Sequence, residues 1–332
     1  MRRKKVILIK RIIILLEISV LCLFATYLLC EDKNKVSGNV TQAMEWLEKG
    51  YQYASDKKYD LALKAFTKAI SLDPNLSMAY VYRGNAYDEM GQSEKAIGDY
   101  EKAILIDPKN SEAYYHRGLF HAHKEKYDEA IKGFTKAIGI KPDAKAFYNR
   151  GLAYGRRNML DEAIKDFNKV IDLWPNFAMC YHDRGFAYSL KGKHDEAIED
   201  YTKAIALEPN LASAYYKRGV AYRSTGQHKE ANTDFDKASY FYNEIGISYA
   251  MKGDFDMAIR YFKEAIESSS DNPYSYYNMA CIFSAKKDIS KACDYLKKAI
   301  EKGYNNWKQL KKDNYLDNIR QSECYKKIVS GR

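Results

Sequence analysis

Residues 77–110 read SMAYVYRGNAYDEMGQSEKAIGDYEKAILIDPKN, and this stretch decides the fold. Gly91 marks a turn in its middle, and Pro108 follows its second half and stops it, because proline cannot donate the helical hydrogen bond. Gly84 in the first half and Ala96 in the second leave room for two antiparallel helices to approach closely. Tyr100 is large enough to fill the groove to the next helix pair. The stretch therefore reads as one helix hairpin.

The same 34-residue unit recurs from Ala43 onward, at 43–76, 77–110, 111–143, 144–177, 178–211, 212–238, 239–272 and 273–306. Its eighth position holds Gly50, Gly84, Gly118, Gly151, Gly185, Gly219 and Gly246, then Ala280. The twentieth is alanine throughout, from Ala62 to Ala292, and the twenty-fourth is aromatic from Phe66 to Phe262 before ending on Leu296. Pro74, Pro142, Pro175 and Pro209 repeat the stop, and Gly192, Gly226 and Gly253 repeat the turn. Arg83, Arg117, Arg150, Arg184 and Arg218 recur at the seventh position, and Asp99, Asp166, Asp200 and Asp234 follow four of them by sixteen residues. That pairing reads as a structural ladder rather than a row of arginines awaiting an acidic partner.

Trp46, Gly50, Tyr53, Ala62, Phe66, Ala69 and Pro74 of the first unit carry a resemblance to the tetratricopeptide repeat family, which extends over about four-fifths of the chain. The variant Tyr-x-x-Arg-Gly-x-Ala-Tyr at 80–87, 181–188 and 215–222 resembles the bacterial branch, here of a membrane-anchored type. The resemblance implies an all-α, right-handed superhelical solenoid of about eight hairpins, whose first helices line a concave binding face. On that geometry Asn85, Asp88, Tyr115, His116, Tyr148, Asn149, His182 and Tyr216 project into the groove. Tyrosine offers contact area at low entropy loss and keeps a hydroxyl for peptide backbone. Family members that clamp a peptide carboxyl terminus carry a lysine one turn before the first asparagine; here Val81 precedes Asn85, and His116 stands in the next asparagine place, so that mode is disfavoured.

Two departures interrupt the array. The unit from Ala212 lacks the Ile-x-Leu-x-Pro exit, which reads as a register break after Ala238. The tail from Gly303, with Trp307, Leu310, Leu316, Ile319 and Tyr325, resembles the closing segment of bacterial members, so 307–332 is expected to form capping helices over the last pair.

Ahead of the repeats, Arg2, Arg3, Lys4, Lys5, Lys10 and Arg11 precede an apolar run from Ile12 to Leu29 broken only by Glu17. At about 1.5 Å per residue the run covers roughly 27 Å, just enough to span a hydrocarbon core of about 30 Å. Residues 1–30 therefore read as a signal-anchor helix with a cytoplasmic amino terminus, 31–42 as a linker, and the solenoid as extracytoplasmic. Lipidation at Cys30 and cleaved export compete with the uncleaved anchor, against Leu29 and the Tyr27-Leu28-Leu29 approach to Cys30.

The chain has 332 residues and a net charge of +10, which would suit nucleic acid were the charge clustered. Residues 1–40 carry eight Lys/Arg against three acids and 301–332 eight against four, leaving 38 against 37 between them. A near-neutral middle excludes a phosphate-binding surface. No Gly-rich phosphate loop, HExxH or nucleophile elbow occurs, and the 26 residues after the repeats are too few for a catalytic domain, so neither an enzyme nor a cofactor is expected. His116 and His123 lie two turns apart, about 10 Å, too far to chelate one metal, and His121 reads as a core substitution. Cys180, Cys281, Cys293 and Cys324 show no framework and read as buried free thiols. The function expected is a membrane-anchored scaffold for protein or peptide partners. An assembly or secretion lipoprotein, or a polysaccharide export accessory binding glycan in the same groove, is the alternative.

Overall fold

The computed structural model describes residues 38–330, and among these there are helices and no strand. In chain order the first hairpins are α1 (38–55) with α2 (Tyr59–Leu72), α3 (Ser77–Glu89) with α4 (Ser93–Ile106), and α5 (Ser111–His123) with α6 (Tyr127–Ile140). Then come α7 (Ala144–Arg156) and α8 (Leu160–Leu173), α9 (Ala178–Leu190) with α10 (His194–Leu207), and α11 (Ala212–Ser224) with α12 (His228–Met251). α13 (Phe255–Ser268), α14 (Pro273–Ala285), α15 (Ile289–Glu301), α16 (Trp307–Lys312), a 3-10 turn (Asn314–Ile319) and α17 (Glu323–Ser330) complete the chain. Two compact units divide it, one up to Ala153 and one from Tyr154.

Every hairpin turn is made the same way. The fifteenth residue of each repeat, namely Lys57, Gly91, Glu125, Asn158, Gly192, Gly226, Gly253 and Lys287, has φ between 57° and 80°. This left-handed residue lets the chain reverse after the first helix, and four side-chain-bearing residues take it despite a cost of about 1 kcal/mol each. Beyond the turn the helices close on the small residues. A Cβ on Gly84 would lie 2.7 Å from Tyr100 Cε1, and one on Gly118 the same distance from Phe134 Cε1. Tyr100 and Phe134 are at most 1% exposed, so each ring fills the space that its glycine leaves.

Polar contacts then fix one hairpin to the next. Arg83 donates through Nε and Nη2 to both Asp99 oxygens at 2.8 Å, and its Nη1 reaches back to Thr67 Oγ1 in the preceding hairpin at 3.3 Å. Arg184 does the same with Asp200 and Asn168, and Arg218 with Asp234 and Thr202. The aspartates are buried, so the paired geometry is what makes their burial tolerable. The fourth-position tyrosines are also structural: Tyr80, Tyr181 and Tyr215 donate to the carbonyls of Pro74, Pro175 and Pro209 in the loop before each helix.

At the shortened repeat, no turn separates Ala238 from Tyr242: α12 runs unbroken for 24 residues. It pairs with α11 and with α13. At the carboxyl end, Leu310, Leu316, Ile319 and Tyr325 bury against Tyr276, Tyr277, Ala280 and Leu296, and Tyr277 stacks on Tyr304 with centroids 4.2 Å apart.

Two sequence expectations are corrected. Cys293 and Cys324 are joined by a disulfide across a separation of 31 residues, with Cα atoms 6.2 Å apart, and are not free thiols; Cys180 and Cys281 are free and buried. The single-pass membrane placement, with its extracytoplasmic solenoid, is also overturned: among the described residues no helix is long and apolar enough to cross a membrane. Most of these helices run 13 or 14 residues, about 20 Å, and the 24-residue α12 carries His228, Lys229, Glu230, Asp234, Asp236 and Lys237. The anchor and lipidation readings at 1–30 and Cys30 lie outside the described residues.

Candidate functional site

In the unit up to Ala153 the first helices α3 and α5 lie side by side. With α4 and α7 they carry two hydrogen-bonded sets that meet at the Tyr115 and His116 rings. Tyr100 OH donates to Asn85 Oδ1 at 2.8 Å, and Asn85 Nδ2 lies 3.3 Å from His116 Nε2. Asn149 Nδ2 donates to Tyr115 OH at 3.2 Å and to the Lys145 carbonyl at 2.9 Å. The His116 ring stacks on Tyr100 with centroids 5.9 Å apart and meets the Tyr115 ring edge-on at 5.2 Å.

Burial, and then the Lys145 charge, pulls His116 down to about 4. The imidazole is therefore neutral at pH 7, and Nε2 accepts from Asn85 while Nδ1 carries the proton. Glu112 Oε2 stands 3.7 Å from Nε2, beyond hydrogen-bond reach, and does not restore the charge. Burial, then Asp143 and Glu112, pushes the Tyr115 phenol up to about 12, so it too is neutral. Burial and the Asp88 charge raise Tyr100 as well.

Tyr115 and His116 line a groove of about 290 Å³ whose remaining wall includes Glu112, Lys141, Asp143 and Lys145. Two acids and two lysines around neutral hydrogen-bonding rings suit a chain with alternating donors and acceptors rather than a polyanion. The sequence pattern missed these four. Glu112 and Lys145 occupy the second position of α5 and α7, one turn before Tyr115 or His116 and Tyr148 or Asn149, so the same helical period could have found them. Lys141 and Asp143 lie in the loop after α6, where no helical period applies.

The other candidates are distributed differently. Tyr148 sits on α7 one residue before Asn149, and Asp88 on α3 one turn beyond Asn85. In the unit from Tyr154, His182 Nδ1 pairs with Asp183 Oδ1 at 2.9 Å, its ring edge meets Tyr201, and its Nε2 is buried without a hydrogen-bond partner. Tyr216 leans on Phe235 with centroids 5.7 Å apart. Among the described residues no group of three or more His, Cys, Asp or Glu is arranged to hold a metal.

Tetratricopeptide repeat models match residues 46–76, 77–110, 99–132, 144–177, 212–241, 239–272 and 273–301, and a TPR repeat model matches 187–226. The chain belongs to the tetratricopeptide repeat family. Among solved structures it is similar to YrrB, described as a TPR protein with an unusual peptide-binding site, at 25% identity and a TM-score of 0.50 over 60% of this chain and 97% of that one. It is also similar to PilW, a type IV pilus biogenesis factor, at 18% identity and a TM-score of 0.53 over 58% of this chain and 90% of that one. PilF of Pseudomonas aeruginosa is similar at 17% identity and a TM-score of 0.56 over 66% of this chain and 97% of that one. At those identities PilW and PilF speak for the fold alone. No curated protein sequence matches the chain.

Proposed function

We propose that this chain is a non-catalytic scaffold that holds an extended peptide segment of a protein partner on the first-helix face of residues 38–153. The observation that carries the reading is the groove at Tyr115 and His116, about 290 Å³ in volume, with neutral hydrogen-bonding rings inside and Glu112, Asp143, Lys141 and Lys145 around it. Asn85, Asp88, Tyr148 and Asn149 extend the same face on neighbouring helices. His182 and Tyr216 are the corresponding contacts within the second unit. The described peptide-binding site of YrrB makes a peptide the partner class to test first. No cofactor, metal or nucleic acid takes part.

The test uses purified full-length chain as bait, beside a variant carrying Tyr115→Ala and Tyr148→Ala. A protein retained by the first and lost by the second, at equal helicity, supports the reading. An unchanged set of retained proteins, or retention of glycan with no peptide partner, overturns it.

A further inference from the structure

The seven residues missing from the repeat at 212–238 change the packing around α12. Elsewhere a short loop reverses the chain between a second helix and the next first helix, as between Ile106 and Ser111. α12 has no such loop, so α11 and α13 both pack along one continuous rod. Where the loop into α11, the start of α11 and the middle of α13 meet the second half of α12, a crevice of about 580 Å³ stands open. It has twice the volume of the groove beside Tyr115, about 290 Å³.

The crevice has an aromatic wall and an acidic rim. Phe241, Tyr242 and Tyr261 line it. Tyr242 and Tyr261 stack with centroids 6.4 Å apart, and Tyr261 stacks in turn on Tyr249 at 5.4 Å, so these faces are held in place before any ligand arrives. Among the described residues that line it, Glu208, Glu244 and Glu264 stand against a single cation, Arg260, a local balance of two negative charges. No side-chain hydrogen bond or ion pair engages those carboxylates among the described residues. Burial, followed by the Glu264 charge, pushes the Tyr242 phenol up to about 12, so the ring keeps a neutral hydroxyl.

We infer that this crevice docks a basic peptide segment of a protein partner, with an arginine or lysine laying its stem along the tyrosine faces and its charge among Glu208, Glu244 and Glu264. Aromatic faces attract a cation, and long basic side chains cover apolar surface with their methylenes while keeping the charge at a polar edge. A phosphate or other anion is repelled by the same rim. The site shares no lining residue with the Tyr115 groove and does not depend on that groove binding anything. The +10 of the whole chain lies almost entirely in residues 1–40 and 301–332, so the region that holds the crevice is near-neutral and retention of a basic peptide there has to come from the local acidic rim.

The experiment is fluorescence anisotropy on the full chain with a fluorescein-labelled peptide of alternating alanine and arginine, beside an alanine–glutamate peptide of equal length. Saturable binding of the arginine peptide alone is expected. The combined Glu208→Gln, Glu244→Gln and Glu264→Gln variant should weaken it about tenfold, since exposed ion pairs contribute roughly two- to fivefold each. Arg260→Gln should tighten binding about two- to threefold by removing the competing cation, and Tyr115→Ala should leave it unchanged. Equal affinity in the triple variant, loss on Tyr115→Ala, equal binding of the glutamate peptide, or no saturable binding by the wild-type chain would each overturn the proposal.

Discussion

Gly246→Ala sets two known effects against each other at one atom. In α12 the turn before this residue has vanished, yet Gly246 still occupies the helix crossing, and a Cβ there would lie 2.5 Å from Phe262 Cε1 and 2.7 Å from Cδ1. Phe262 is 1% exposed, so its ring cannot swing into solvent. Alanine gains about 1 kcal/mol over glycine inside a helix. Overpacking a closed core costs about 1–3 kcal/mol, so the net change is a destabilisation of about 0–2 kcal/mol. Two other glycines calibrate the result. Gly98, in α4, has nothing within 4 Å of its added Cβ and keeps the full gain of about 1 kcal/mol. Gly185 has its nearest atoms at 3.1 Å, where small shifts suffice, and should come out near neutral. Urea unfolding of the full chain, followed by far-ultraviolet circular dichroism, should therefore order the midpoints as Gly98→Ala highest, Gly185→Ala near wild type and Gly246→Ala lowest. Should Gly246→Ala stabilise as much as Gly98→Ala, the ring does not pack against that backbone and the hairpin geometry is wrong.

The neutral state of His116 predicts a pH dependence. Its folded pKa, about 4, lies below the ordinary value of 6.5, so the unfolded chain takes up the proton first; the contribution is complete above about pH 6.5 and is lost as pH falls through 4, by about 3 kcal/mol. The stability gap between wild type and His116→Asn should change by that amount between pH 7 and 4, and parallel curves would contradict the buried neutral imidazole. Closing 31 residues with the Cys293–Cys324 bond is worth about 3–4 kcal/mol in chain entropy. Reductant should accordingly lower the melting temperature of wild type but not of Cys324→Ser, and an equal response in both would show that the bond does not tie α17 to α15. Lys287→Gly should raise the unfolding free energy by about 0.5–1 kcal/mol and with it the urea midpoint, because lysine there holds φ 61°; a lower midpoint would mean that its side chain supplies more than the backbone strain removes.

The repeat was legible because close helix crossings admit only small residues, and Gly84 or Ala96 announces the constraint in one letter. The turns were legible only in part: Gly91 signals its left-handed φ, whereas Lys57, Glu125, Asn158 and Lys287 take the same conformation without a compositional sign, held by the helices on either side. Of the groove, Tyr115, His116, Asn85 and Asn149 followed from the repeat register together with the family resemblance, and the structure pairs Asn85 with His116 and Asn149 with Tyr115. Lys141 and Asp143 did not, since a loop has no period to read. The missing exit after Ala238 was visible, but the sequence reading of a register break gave no hint that α12 would run straight through it. Nor could spacing reveal the Cys293–Cys324 pair, which joins a repeat helix to a segment beyond the repeats.

Amide hydrogen exchange on the full chain, with and without the protein retained through Tyr115 and Tyr148, tests most directly whether the first-helix face carries the partner. Slowed exchange in α5 (Ser111–His123) and in the part of α7 up to Ala153, with α4 and α6 unchanged, is the expected result. Protection confined to α4 and α6, or none in this unit, would contradict it.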